Sequence, residues 1–142
     1  MKSNQDILSS ILKTTQMGQT GIRAVMPYAG NVELKQALKD QLTEYDTIER
    51  EALRLASQRD WDVEELDIMA KTMSKMYTHF NLKFGNVDSK IAAMMIQGNT
   101  RGMIKGLKNI HHRRSFDQSL ERLSQQLLDC ESANIKQMQG FV

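Results

Sequence analysis

The sequence predicts one all-helical domain packed as a bundle, and three observations carry that expectation. Leu, Met, Gln, Lys and Glu are abundant, aromatic residues make up only 6% of the chain, and Pro27 is its sole proline. Such a composition favours helices over sheets. Apolar residues recur at helical spacing in five segments separated by short joints of breaker residues. The same spacing of stripe residues also returns in several of these segments, the mark of an internal repeat. At 142 residues the chain has the length of a single domain, 1–142, and can bury a core without disulfides or a structural metal.

The first predicted segment runs from about Asn4 to Met26, stopping at Pro27 with Gly30 and Asn31 beyond. The second runs from about Val32 to Arg59. An Asp60-Trp61-Asp62 joint opens the third, whose first turn carries Glu64, Glu65 and Asp67, acidic residues that complement the positive end of a helix. It ends near Phe84, before Gly85-Asn86. Met69, Met73 and Met76, with Leu66 and Phe80, mark one face of it that is expected to cover the bundle. The fourth spans roughly Asp88 to Ile110 and ends in His111-His112-Arg113-Arg114, basic residues suited to a helix C-terminus. Ser115 or Asp117 caps the fifth, which continues to about Gln139.

In the second segment Leu38, Leu42, Tyr45, Glu49, Ala52 and Ala56 follow one 4-3-4-3-4 stripe. The fifth repeats that spacing with Leu120, Ser124, Leu127, Glu131, Asn134 and Met138. The first gives Leu8, Leu12, Thr15, Gln19, Ile22 and Met26; the fourth gives Asp88, Ala92, Met95, Asn99, Gly102 and Gly106. Segments one and two then form one antiparallel hairpin, and segments four and five another. The third carries the chain back along the bundle, its twenty-odd residues covering roughly 30 Å at ~1.5 Å per residue.

Two helical hairpins joined by a long crossover resemble the ferritin-like superfamily. The stretch VELKQALKDQLTEYDTIEREALRLASQRDW is similar to the second helix of bacterial spore-coat-type members. The resemblance implies a ferritin-like antiparallel four-helix bundle made of two hairpins plus a crossover helix. In the di-iron members, two helices each give a carboxylate and two each give Glu-x-x-His. Here the Glu-x-x-His positions read Glu49 to Ala52 and Glu131 to Asn134, and the remaining two positions are Gln19 and Asn99. Both histidines and two carboxylates are replaced, so the superfamily's oxidase and iron-storage chemistry is not expected.

Gln19, Glu49, Asn99 and Glu131 therefore fall on the core stripes of four different helices. Buried carboxylates must find amide partners or take up protons, so a hydrogen-bonded polar core layer that sets helix register is the expected role. The other reading is an oxygen-rich site for manganese, magnesium or calcium, but two carboxylates and two amide carbonyls make a thin ligand set. No metal and no cofactor are expected.

Gly98, Gly102 and Gly106 are spaced by four on the fourth segment, and a helical glycine costs about 1 kcal/mol relative to alanine. Close helix contact along all three is expected; a ligand lying against bare backbone is the alternative. GNTRGMIKG lacks the ending of a phosphate-binding loop. No nucleophile–base pair is evident, so no enzyme activity is expected. Cys130 lies among core positions and cannot pair within the chain, which fits a reducing compartment.

A net charge of +2 does not mark a nucleic-acid binder. The one basic cluster, Lys105, Lys108 and His111 to Arg114, has no interleaved aromatics on which bases could stack. The apolar run Ile91 to Ile96 is far short of the roughly 20 residues that span a bilayer, and the N-terminus lacks a signal-peptide core. The expectation is a cytoplasmic, non-catalytic bundle acting through assembly or contact with a protein partner or its own copies, in a spore-coat-like setting. The runner-up is a metal-binding or redox protein using Glu49 and Glu131, and an anion- or nucleic-acid-binding module using Lys105 to Arg114 stands third.

Overall fold

The structure is a computed structural model that describes residues 1–66 and 85–142. Within these residues four α-helices pack together: α1 (Asn4–Val25), α2 (Val32–Arg59), α3 (Val87–His111) and α4 (Gln118–Gln139). A single 3₁₀ turn, Met26–Tyr28, with Pro27 inside it, follows α1.

Each helix begins at a polar cap that uses a short side chain to satisfy the free backbone donors of the first turn. Ser3 and Asp6 exchange hydrogen bonds in a capping box on α1. The Asn31 side-chain oxygen accepts from the Glu33 and Leu34 amides, that of Asn86 from Ser89, and an Asp117 carboxylate oxygen from Leu120. Of the two caps expected for the last helix, Asp117 is therefore the one used. α2 closes on Asp60, whose left-handed φ of 55° lets Trp61 N–H reach back to the Ala56 carbonyl at 2.9 Å.

The strongest pairings are α1 with α2 and α3 with α4, the two hairpins expected from the repeated stripes. α1 also packs on α3, and α2 on α4. Contacts at the helix ends fix the directions. Asn109, late in α3, donates to Ser10, early in α1. Arg59, at the end of α2, pairs with Asp117 at the start of α4. Every neighbouring pair is therefore antiparallel, and α2 and α3 run the same way.

The chain must then change ends between them. It leaves α2 beside Asp117 and enters α3 beside the first hairpin's turn, where the Asp88 carboxylate accepts from the Gly30 and Asn31 amides at 2.8 and 3.0 Å. The 28 residues of α2 set that distance at roughly 42 Å.

Residues after the joint depart from the expected helix start. Trp61 to Leu66 are not helical, and the alternate amides of this stretch are taken by side chains of α1. Asp62 N–H donates to Gln5 Oε1, Glu64 N–H to Ser9 Oγ and Leu66 N–H to Gln16 Oε1. A first helical turn would have left those donors to water. The expected positions Asp67, Met69, Met73, Met76 and Phe80 lie outside the described residues.

The core follows the stripes in part: Leu34, Ile48 and Ile91 lie off them, and Leu42, Glu49, Gly102 and Gly106 on them are only partly buried. Leu8, Leu12 and Ile22 of α1, Leu34, Leu38 and Ile48 of α2, Ile91 of α3 and Met138 of α4 are all essentially inaccessible. Burial of such side chains is the dominant favourable contribution, about 1.5–3 kcal/mol each relative to exposure. The basic end of α3 is tied down locally. Arg113 pairs with Glu121 and lies over the Phe116 ring, and the His112 carbonyl and Arg114 amide bond the backbone of Lys2. No helix of the described residues is long and apolar enough to cross a membrane.

A buried carboxyl beside a glycine-walled cavity

Midway along the bundle, three helices share one hydrogen-bonded group. Tyr45 projects from α2 and is 3% exposed. Its hydroxyl reaches Asn99 Oδ1 of α3 at 2.7 Å and Glu131 Oε2 of α4 at 3.3 Å. Asn134 of α4 donates to the same Asn99 oxygen at 3.2 Å, while Asn99 Nδ2 donates to the Met95 carbonyl one turn back. The Tyr45 ring has room only because residue 18 of α1 is glycine. A Cβ there would sit 2.6 Å from the ring.

Glu131 is the most constrained member. Only 1% of its surface is exposed, and its Oε1 is buried without a hydrogen-bond partner among the described residues. Its carboxyl lies where a side chain on Gly102 would be, since a Cβ on Gly102 would come within 2.1 Å of Oε2. Desolvation pushes this carboxyl up to about 8, and the Tyr45 hydroxyl offsets only part of the rise. At neutral pH it is a neutral acid. Burial also raises the Tyr45 hydroxyl, with the adjacent Glu131 adding to the effect, and raises the Cys130 thiol, which Glu44 reinforces. Cys130 is buried, as its neighbours in sequence suggest.

Glu49 belongs to a different group. It accepts from Gln16 Nε2 at 2.9 Å and Gln19 Nε2 at 3.2 Å, and stays half-buried. The four predicted polar residues are brought together as two pairs, Gln19 with Glu49 and Asn99 with Glu131 through Tyr45. No hydrogen bond among the described residues links one pair to the other. Nor do any three His, Cys, Asp or Glu side chains of those residues converge as a metal-binding group.

The glycine series divides as well. Gly102 meets Glu131, and Gly106 lies where a Cβ would be 3.0 Å from Leu128, so both sit in tight helix contact. Gly98 does not. Among the described residues a Cβ there would meet nothing within 4 Å, which corrects the expectation of close packing along all three positions. The reason is helical phase: Gly98 turns away from α4 and opens on a cavity of about 420 Å³ between α1 and α3.

Gly18 and Gly21 of α1, Gly98 and Gly102 of α3, and Leu66 at the end of the described stretch all line this cavity. Met17, Ile22 and Met95 supply apolar side chains, and Glu131 lies in the wall. Lys13, Arg101 and Lys105 bring positive charge to its edge. Lys13 pairs with Glu64 at 2.7 Å. Arg101 and Lys105 make no ion pair among the described residues and are exposed. One member of the predicted basic cluster, Lys105, thus belongs to the cavity rather than to the helix end.

No family model, curated protein or solved structure matches this chain.

Sequence reasoning marked Glu131, Asn99 and Gly102 but not their setting. Tyr45 and Asn134 were on the stripes as core residues, and Gln16, which binds both Glu49 and the Leu66 amide, lay off the stripe altogether. The readable signal was the glycine opposite the tyrosine. Gly18 sits inside α1, where glycine is unfavourable unless something large must fit beside it.

Proposed function

We propose that this chain is a non-catalytic binding protein that holds a small molecule in the cavity between α1 and α3. The observation that carries the reading is the wall itself. Gly98 is a helical glycine held at a cost in helix stability, and among the described residues a Cβ on it would meet nothing within 4 Å. A mostly apolar cavity of about 420 Å³ with a few convergent polar groups has the size and lining of small-molecule sites.

The helix directions support the ferritin-like reading of the fold. Two antiparallel hairpins with α2 and α3 parallel require a connection the length of the bundle, as in bundles with one long crossover. With Glu49 bound to two glutamines and Glu131 to Tyr45, the carboxylates serve separate groups, which favours binding over metal chemistry.

A fluorescent apolar probe such as 1-aminoanthracene tests the proposal. The wild-type chain should bind it at one site with a rise in emission. Gly98→Phe should fold normally, because its Cβ meets no described residue within 4 Å, and should lose the probe. Equal binding by both proteins would place the probe elsewhere and overturn the reading.

Assembly through protein contact is the second reading, favoured by Ile104 and Leu107 on the outer face of α3, 49% and 42% exposed. Sedimentation of the wild type against Ile104→Glu with Leu107→Glu tests it: a dimer that dissociates supports it, and two monomers remove it.

A further inference from the structure

We propose that the junction of α1, α3 and α4 is a binding site for one ordered water molecule, which bridges Asn109 Oδ1 and Ser124 Oγ and completes the hydrogen bonds those side chains leave open. The site does not depend on what occupies the cavity between α1 and α3.

The first observation is a polar atom without a partner. Asn109, near the end of α3, is 3% exposed, and its Nδ2 donates to Ser10 Oγ at 2.9 Å. Its Oδ1 is buried and has no hydrogen-bond partner among the described residues. Turning the amide over exchanges the two atoms and changes nothing, because Ser10 serves one of them and the other is left over. Buried amide groups are nearly always bonded, to protein or to ordered water.

The second is space of the right size. Two small cavities, each of about 10 Å³, lie against Asn109. One is walled by Ser10 and Thr14 of α1, Gly102 and Gly106 of α3, and Leu127 of α4. The other lies toward the connection between α3 and α4, beside Ser115 and Asp117. Asn109 and Ser124 are the two residues that border both. About 10–15 Å³ of such space holds one water.

The third is the supply of donors. Ser124 stands on the core stripe between Leu120 and Leu127 and is 8% exposed. Its hydroxyl makes no hydrogen bond among the described residues. Ser10 accepts from Asn109 and keeps its own O–H proton to give. A water at this point donates to Asn109 Oδ1 and accepts from Ser124, and Ser10 stands beside it as a further donor. Two to four such partners are what a buried water requires. No charged side chain of the described residues borders the cavity walled by Gly106, so an ion stripped of its hydration would find no counter-charge there. An apolar guest would leave the oxygen unserved. The bridge joins α3 to α4 within the second hairpin, and Ser10 ties the same point to the first.

A high-resolution crystal structure of the full chain, with oxygen-17 relaxation dispersion to count long-lived waters in solution, tests the proposal. Density for a water within hydrogen-bond distance of both Asn109 and Ser124 is expected. Asn109→Leu, close in shape but without the acceptor, should lower the count of long-lived waters by one. Should that variant fail to fold, Ser124→Ala serves instead: it removes one partner of the water and should shorten its residence time. An Asn109 amide bonded straight to Ser124 with no water between them overturns the proposal. So does a water that touches Asn109 and not Ser124, or a dispersion profile that neither variant changes.

Discussion

Glu131 and Gly102 are one fitted pair, a long side chain accepted by the absence of another. The fit has a measurable titration. Unfolded, the Glu131 carboxyl titrates near its ordinary 4.5; folded, near 8. The folded chain therefore holds the proton more tightly than the unfolded one. Its contribution is complete below about pH 4.5 and is lost as pH rises through about 8, on the order of a few kcal/mol. Melts of the wild type should show falling stability from pH 5 to pH 8.5, and Glu131→Gln should remove most of that slope. Parallel curves for the two proteins would mean that the carboxyl is ionised when buried. The glycines give a paired comparison. Gly98→Ala should be neutral or raise stability by up to about 1 kcal/mol through helix propensity. Gly102→Ala should lower it by about 1–3 kcal/mol, because the new methyl would come within 2.1 Å of Glu131 Oε2 and force the carboxyl out of its bonded position. Chemical denaturation of both variants checks the contrast, and equal effects would sink it. Much at this scale was legible in the sequence: a carboxylate on a core stripe and glycines inside a helix both break a local rule. Which glycine meets which neighbour was not, because spacing by four places residues on one face without saying where that face ends.

The helices themselves were nearly all readable, because their caps are local chemistry. Ser3, Asn31, Asn86 and Asp117 each bond an amide within three residues, so the signal that starts the helix lies within one turn. The stretch from Trp61 to Leu66 was misread for the opposite reason. Its acidic residues suit a helix start, but its amides are held by Gln5, Ser9 and Gln16, some fifty residues earlier. No local rule reaches that far. Gln16 does most here, accepting from Leu66 while donating to Glu49 and Glu65. Gln16→Ala should speed hydrogen exchange at the Leu66 amide well beyond the change at the capped amides of α2. Unchanged protection at Leu66 would show that this stretch is held by Trp61 and Val63 packing on the core instead.

At the scale of the whole molecule, the stripes predicted two hairpins and the helix-end contacts supply their mutual orientation. Neighbouring helices alternate in direction around the bundle, yet chain order does not, since α2 and α3 run together. That topology has a consequence for the path by which the chain folds. Contacts within each hairpin close over short turns, whereas those between hairpins join distant positions, as Tyr45 and Asn99 do across 54 residues. Loop-closure entropy makes the local contacts cheaper to form first. The two hairpins should therefore be formed, at least in part, in the transition state, and the central hydrogen-bonded group should lock only after it. Asn31→Ala, which removes a cap within the first hairpin, should chiefly slow refolding, while Tyr45→Phe should chiefly accelerate unfolding. Stopped-flow chevrons distinguish the two. If Tyr45→Phe slows refolding as much as it destabilises, the buried group would be the nucleus of folding rather than its final latch.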